Sequence, residues 1–120
     1  RSALYNLADV SSLADDAAVL GAYGAYWKDL DSYDQLKMAA DIKQPCLVLQ
    51  GEEDYQVTLE DFNLWKEAYE GAGNWEFKTY PGLTHLFMPG VKANAGAEYN
   101  KQQTVDAQVL ADIAGFVIGK

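Results

Sequence analysis

The chain has 120 residues, of which 49% are hydrophobic and 22% are charged, and its formal net charge is −9. This length and composition predict one soluble globular domain with a hydrophobic core. The nine Lys and Arg residues are scattered, which argues against a nucleic-acid partner because phosphate binding needs a clustered basic surface. Every apolar run is too short to span a membrane.

The first residues are predicted to form a helical, Ala-rich lead-in over residues 3 to 40, interrupted by Gly21 and Gly24. Pro45 stops any helix before the next element. The chain begins Arg1-Ser2-Ala3, with neither an initiator Met nor a signal-like segment. We therefore expect the true N-terminus to be missing together with any targeting signal, so no cellular compartment is assigned.

A strand, a helix and a second strand are predicted next. The continuous apolar run Cys46-Leu47-Val48-Leu49 suits a strand buried on both faces, as in a parallel sheet. Thr58 begins a helix, with Asp61 in the position of a capping-box acid. One helix face is apolar at helical spacing, at Leu59, Phe62, Trp65 and Tyr69. The stretch from Trp75 to Tyr80 alternates as a strand does, which gives a right-handed βαβ unit.

The rest of the chain is predicted to be a long loop and a closing helix. Residues 88 to 103 contain Pro, Gly and Asn residues typical of a loop. The closing helix shows an apolar pattern at Val105, Val109, Ile113, Phe116 and Val117. The element order therefore predicts an α/β fold.

Two residues at the ends of the predicted strands suggest acid–base chemistry. Asp54 lies four residues past Gln50, and His85, the only histidine, lies five past Tyr80. The carboxyl ends of parallel strands share one edge of a sheet, where ligands collect. An Asp there can accept the Nδ1–H of His85, fix its tautomer and stabilise the imidazolium that forms on proton transfer. A loop histidine bonded to backbone or exposed to water is the alternative.

Four other acids compete with Asp54 for the role of the orienting carboxylate, namely Glu52, Glu53, Glu60 and Asp61. Glu52 and Glu53 are expected to face solvent or to charge the entrance. Glu60 and Asp61 fall in a helix first turn, where acids complement the helix dipole. A calcium site in Glu52-Glu53-Asp54 is conceivable, but it lacks the loop pattern. The single His and the Asp and Glu residues are not spaced along the sequence as metal ligands are.

A nucleophile is not evident. None of the serines has the flanking glycines of a Gly-x-Ser-x-Gly turn. The serines are Ser2, Ser11, Ser12 and Ser32. Cys46, the only cysteine, excludes an internal disulfide and a Cys-based zinc site. Because Cys46 lies inside the apolar strand, we expect it to be a small buried hydrophobic residue and not a nucleophile.

The stretch from Gln44 to Val57, followed by Tyr80-Pro81-Gly82-Leu83-Thr84-His85, resembles the C-terminal part of α/β-hydrolases, in the esterase/lipase, dienelactone-hydrolase and prolyl-oligopeptidase-like branches. The resemblance covers residues 44 to 87 well, and the closing helix fits the end of the family fold. It implies that Asp54 is the triad acid and His85 the triad base. It also implies one partial domain over residues 1–120, a C-terminal α/β-hydrolase fragment. Residues 1–40 would be a cap-like lead-in and 44–120 a βαβα part.

The same resemblance implies a serine hydrolase that cleaves a carboxylic ester or a peptide bond of a small-molecule or peptide substrate, without a cofactor. The elbow serine and the oxyanion loop would lie outside this chain, so we expect it to be inactive alone. An open strand edge predicts self-association, by edge pairing or by helix exchange. A non-catalytic α/β interaction module is the alternative, and it predicts that Asp54 and His85 do not meet.

Overall fold

The computed structural model describes residues 10–119, which form two compact units, the first ending at Ile42 and the second beginning at Lys43. Ser2 and residues 3–9 of the predicted lead-in lie outside the described residues. The first unit contains a 3₁₀ turn at Val10–Ser12, a hairpin and two helices. Its strands are β1 (Ala18–Val19) and β2 (Ala22–Tyr23), and its helices are α1 (Gly24–Asp31) and α2 (Gln35–Ala39).

The hairpin corrects the prediction of a helical lead-in. Strands β1 and β2 pair antiparallel, with Val19 opposite Ala22, so only Leu20 and Gly21 join them. Both have positive φ, 50° and 83°. Positive φ at both residues is the conformation of the two-residue hairpin turn whose twist matches that of the flanking strands. Gly21 adopts this conformation without steric cost. The Ala-rich composition favoured a helix, but the turn geometry at Gly21 decides the local structure.

The second unit follows the predicted order of strand, helix, strand and closing helix. Its elements are β3 (Cys46–Gly51), α3 (Leu59–Tyr69), β4 (Trp75–Tyr80) and α4 (Ala107–Ile118). Strands β3 and β4 pair in parallel, from Cys46 opposite Trp75 to Gly51 opposite Tyr80. The predicted α/β class with a parallel strand pair is therefore confirmed. Because the two strands end at the same level, the loops that follow them begin side by side.

Helix α3 begins as its capping sequence predicts. The Thr58 N–H donates to Asp61 Oδ2 over 3.0 Å. Aromatic rings then join the helix to β4: Phe62 meets Phe77 edge to face at 5.8 Å, and Tyr69 stacks on Trp75 at 4.6 Å. Such ring pairs add to the free energy gained from burial of apolar area. These contacts pack α3 against this face of β4, on which Trp75 and Phe77 are partly buried.

Burial within the second unit is less complete than the sequence predicts. The core includes Val109 of α4, fully buried, with Tyr80 and Leu83. Strand β3 is only half-buried over its first four residues, which contradicts the expectation of a strand covered on both faces. Three of the five residues in the predicted apolar pattern of the closing helix are exposed, namely Val105, Ile113 and Val117. None of the described helices combines the length and the hydrophobicity needed to cross a bilayer.

Candidate active site

Two loops leave the carboxyl ends of the parallel strands and are hydrogen-bonded to each other. The acid loop comprises residues 52–58, after β3, and the base loop residues 81–90, after β4. The Glu52 N–H donates to Tyr80 O over 3.0 Å, and the Glu53 N–H donates to Leu83 O over 2.9 Å. The backbone therefore fixes the two loops relative to each other before any side chain contributes.

A glycine makes this close approach possible. A Cβ on Gly51, the last residue of β3, would lie 2.4 Å from Leu83 O and 2.5 Å from Thr84 O. Both distances are well inside van der Waals contact, and both neighbours are backbone atoms, which cannot rotate away. Only a residue without a side chain lets the acid loop pass this close to the base loop.

The two predicted site residues meet at this edge of the sheet. His85 Nδ1 lies 2.8 Å from Asp54 Oδ2. The Asp54 side chain is 5% exposed and the His85 side chain 40% exposed, so the acid lies beneath the imidazole. An ionised carboxylate can only accept, so the proton must be on Nδ1. Nε2 of His85 is then the nitrogen that can accept a proton from a substrate or a nucleophile.

Asp54 is held in its ionised form by several donors. The backbone N–H groups of Gln56 and Val57 donate to its Oδ1 over 2.8 and 3.0 Å. Burial raises the pKa of Asp54, but the hydrogen bonds from His85, Val57 and Gln56 together outweigh it. The pKa therefore lies below the ordinary aspartate value of 3.8. At neutral pH this residue is a fixed negative charge under the imidazole.

Gln50 supports the acid loop and was not singled out from the sequence. Its side chain is buried, and Nε2 lies 2.9 Å from Gly51 O, 2.9 Å from Val57 O and 3.3 Å from Asp54 Oδ2. One amide group thus connects the last residue of β3 to two residues of the acid loop. The signal in the sequence is a polar residue directly after the apolar run of β3.

The other acids near the site have separate partners. Glu52 Oε1 accepts from the Thr79 hydroxyl over 2.8 Å, and Glu53 Oε2 accepts from the Lys92 N–H over 2.9 Å. Both were expected to face solvent or to charge the entrance; both are partly exposed, and each is also hydrogen-bonded. Asp61 caps α3. Within residues 10–119, no three His, Cys, Asp or Glu side chains come together as a metal site would require.

The base loop is closed by its own hydrogen bonds. Both the N–H and the hydroxyl of Thr84 donate to Met88 O, over 2.9 and 3.1 Å. The Phe87 N–H donates to Thr84 O, so His85 lies in a tight turn. Phe87 has a φ of 52°, and its carbonyl accepts from the Asp106 N–H at the start of α4. A positive φ at a bulky residue is uncommon and indicates that the surrounding contacts fix this turn.

No nucleophile accompanies the two residues in the second unit as far as serine is concerned, because residues 43–120 contain none. Cys46 opens β3, and its Sγ lies 3.4 Å from Gln44 O. It therefore lies at the amino end of the strand, roughly 17 Å from the carboxyl end, where His85 is placed. Ser11, Ser12 and Ser32 belong to the first unit. Cys46 cannot reach the imidazole in this arrangement.

Comparison with known proteins agrees with this architecture. Residues 6–111 match the Dienelactone hydrolase family. The chain is also 33% identical over 103 residues to Esterase EstD of Thermotoga maritima, an alignment that covers 86% of this chain and 25% of that protein. The chain thus spans about a quarter of the length of this relative. No solved structure is significantly similar. The family match covers most of the sequence, so the chain belongs to the Dienelactone hydrolase family of α/β-hydrolases.

Proposed function

We propose that this chain provides the acid and the base of a serine-hydrolase triad that acts on carboxylic esters. The observation that supports the proposal is the 2.8 Å contact between Asp54 Oδ2 and His85 Nδ1, with the acid buried and the imidazole partly exposed. The esterase named among the relatives favours an ester over a peptide bond as the substrate. The non-catalytic alternative predicted that these two side chains do not meet, so their contact favours the hydrolase.

The chemistry follows from which nitrogen of His85 is free. Nε2 would take the proton of a serine hydroxyl as the oxygen attacks the ester carbonyl. Asp54, ionised and fixed beneath the ring, would stabilise the imidazolium that results. The same proton would then pass from Nε2 to the leaving alcohol, and a water molecule would release the acid by the reverse sequence. The serine and the oxyanion donors would come from residues outside this chain.

The first test is an assay of the chain alone with a nitrophenyl ester. We expect no turnover, because the base has no nucleophile beside it in residues 43–120. The polypeptide extended by the coding sequence before Arg1 should contain a Gly-x-Ser-x-Gly turn and hydrolyse the ester. Turnover by the chain alone that survives His85→Ala but not Cys46→Ala would overturn the assignment. An extended polypeptide that lacks both the motif and the activity would also overturn it.

We also propose that the 120-residue chain associates with itself. Within the described residues β3 pairs with β4 alone, and Leu47, Val48 and Leu49 are only half-buried. An apolar strand with an open edge offers unpaired backbone groups to a second copy. Exchange of the helical segments in residues 1–40 is the other route.

Sedimentation velocity at moderate concentration tests this association. The wild-type chain should sediment as a dimer or larger species, and Val48→Lys should shift it toward monomer, because a charge on the strand opposes edge pairing. A wild-type chain that is monomeric would contradict the proposal. If Val48→Lys stays associated, edge pairing is excluded and exchange of residues 1–40 becomes the explanation.

A further inference from the structure

Residues 91–100, here called the support segment, follow the base loop and contact the acid loop. The Lys92 N–H donates to Glu53 Oε2 over 2.9 Å. The ring of Tyr99 lies 6.3 Å from the ring of Tyr55, the neighbour of the proposed triad acid. The segment contains two short 3₁₀ turns, Lys92–Asn94 and Ala97–Asn100, where the sequence predicted only a loop. It therefore has a defined structure that is tied to the site.

Glu98 is a buried carboxylate inside this segment. It is 7% exposed, and its Oε1 accepts from the Val91 N–H over 3.2 Å and from the Asn94 side-chain amide. The hydrogen bond from Asn94 lowers the pKa of Glu98 below the ordinary value of 4.5, so the group is charged at neutral pH. Its Oε2 is buried without a hydrogen-bond partner among the described residues. Because a buried unpaired oxygen costs stability, the fold alone gives a weak reason for a carboxylate here.

Glu98 reaches the base loop through Gly90. A Cβ on Gly90 would lie 3.3 Å from both Cγ and Cδ of Glu98, and 2.5 Å from Cγ2 of Thr84, the residue before His85. The Gly90 N–H donates to Gly82 O over 3.1 Å, which closes the base loop. The next N–H along the chain, that of Val91, donates to Glu98 Oε1. The carboxylate thus holds the backbone at the point where it leaves the base loop.

We infer that Glu98 is a positioning residue for His85: its carboxylate fixes the exit of the base loop and so keeps the imidazole over Asp54. The inference rests on the proposed function of His85 as a base. Glu98 acts through Gly90 and Thr84, and it touches no reacting atom. Loss of the acceptor oxygen Oε1 should therefore loosen the contact between Asp54 and His85 while both residues remain in place.

The single histidine gives a direct readout of this effect. In the ¹⁵N-histidine-labelled chain, the proton on His85 Nδ1 should give one hydrogen-bonded signal that exchanges slowly with water. In Glu98→Ala this proton should exchange roughly tenfold faster, because the loop exit loses its acceptor. Glu98→Gln should restore slow exchange, since its carbonyl oxygen can still accept from Val91 and Asn94. Asn74→Ala is the matched control: it removes a side-chain anchor to Gln44 O at the opposite end of the sheet.

The outcomes separate this inference from the proposed function. If the wild-type chain shows no Nδ1 proton signal, the pairing of Asp54 with His85 fails and the proposed function fails with it. If the signal is present and Glu98→Ala exchanges like Asn74→Ala, the inference alone is overturned. Should Glu98→Ala not fold, Asn94→Ala decides, because it removes one donor to the carboxylate and keeps the charge. Faster exchange in Asn94→Ala supports the inference, and a wild-type rate contradicts it.

Discussion

Replacing Asp54 with Asn is expected to switch His85 to the tautomer that cannot act as a base. The N–H groups of Gln56 and Val57 donate to Asp54 Oδ1, so the oxygen of Asn must stay at that position. Its NH₂ group then replaces Oδ2, 2.8 Å from His85 Nδ1. A donor there requires Nδ1 to accept, which moves the ring proton to Nε2. In the complete enzyme that we propose, kcat should fall by about 10⁴-fold.

Two measurements check this prediction. The ¹⁵N shifts of the single labelled histidine report which ring nitrogen is protonated in the 120-residue chain, and steady-state ester hydrolysis reports kcat in the extended polypeptide. Asp34→Asn is the control, because Asp34 also accepts a hydrogen bond, from the Lys37 N–H, but lies at the start of α2 in the first unit. It should leave the tautomer unchanged. An unchanged tautomer in Asp54→Asn would show that the carboxylate does not orient the ring.

Replacing Gly51 with Ala is expected to separate the acid from the base. The added methyl group would lie 2.4 and 2.5 Å from two backbone oxygens of the base loop, so one loop must move. Such overpacking typically costs about 1–3 kcal/mol of stability. Because Asp54 and His85 lie just beyond this point on the two loops, the shift should also lengthen their 2.8 Å contact. We therefore expect a lower free energy of unfolding and loss of the Nδ1 proton signal.

Gly71→Ala provides the matched control for this variant. No atom lies within 4 Å of the Cβ position at Gly71, and its φ is not positive. The change should be neutral or stabilising by up to about 1 kcal/mol, because Ala restricts the unfolded chain. Urea unfolding gives both free energies under one set of conditions. Equal stability and equal Nδ1 signals in the two variants would refute a steric requirement for glycine at position 51.

The features that sequence reasoning obtained depend on short, regular patterns. Strand β4 and the start of α3 agree with the predicted positions, because alternation and a capping box act over a few neighbouring residues. The meeting of Asp54 and His85 followed from one topological rule, that parallel strands end at a common edge. The catalytic roles of these two residues stay a prediction. Local sequence patterns and one rule of sheet geometry were sufficient to predict β4, the start of α3 and the meeting of the two side chains.

The features that sequence reasoning missed are one local turn with positive φ and several contacts between segments far apart in the chain. Leu20 takes a left-handed conformation in the hairpin although its type does not favour it, and the Ala-rich surroundings predicted a helix. The exposure of Ile113 and Val117 on α4 depends on what packs against the helix, which an apolar period does not specify. Glu98 lies in an irregular segment without any period. A positioning role for Glu98 can be inferred only from the structure, which places Gly90 and Thr84 beside it.

The backbone hydrogen bonds between the acid loop and the base loop bear on how the proposed hydrolase would work. The N–H groups of Glu52 and Glu53 donate to carbonyls at and beyond the end of β4, and these bonds hold the two loops together. In the hydrolase that we propose, the carboxylate and the imidazole would then be preassembled, and their separation would not depend on substrate. A conformational change that controls activity in the whole protein would then have to alter how the nucleophile approaches His85. It would leave the contact between Asp54 and His85 unchanged.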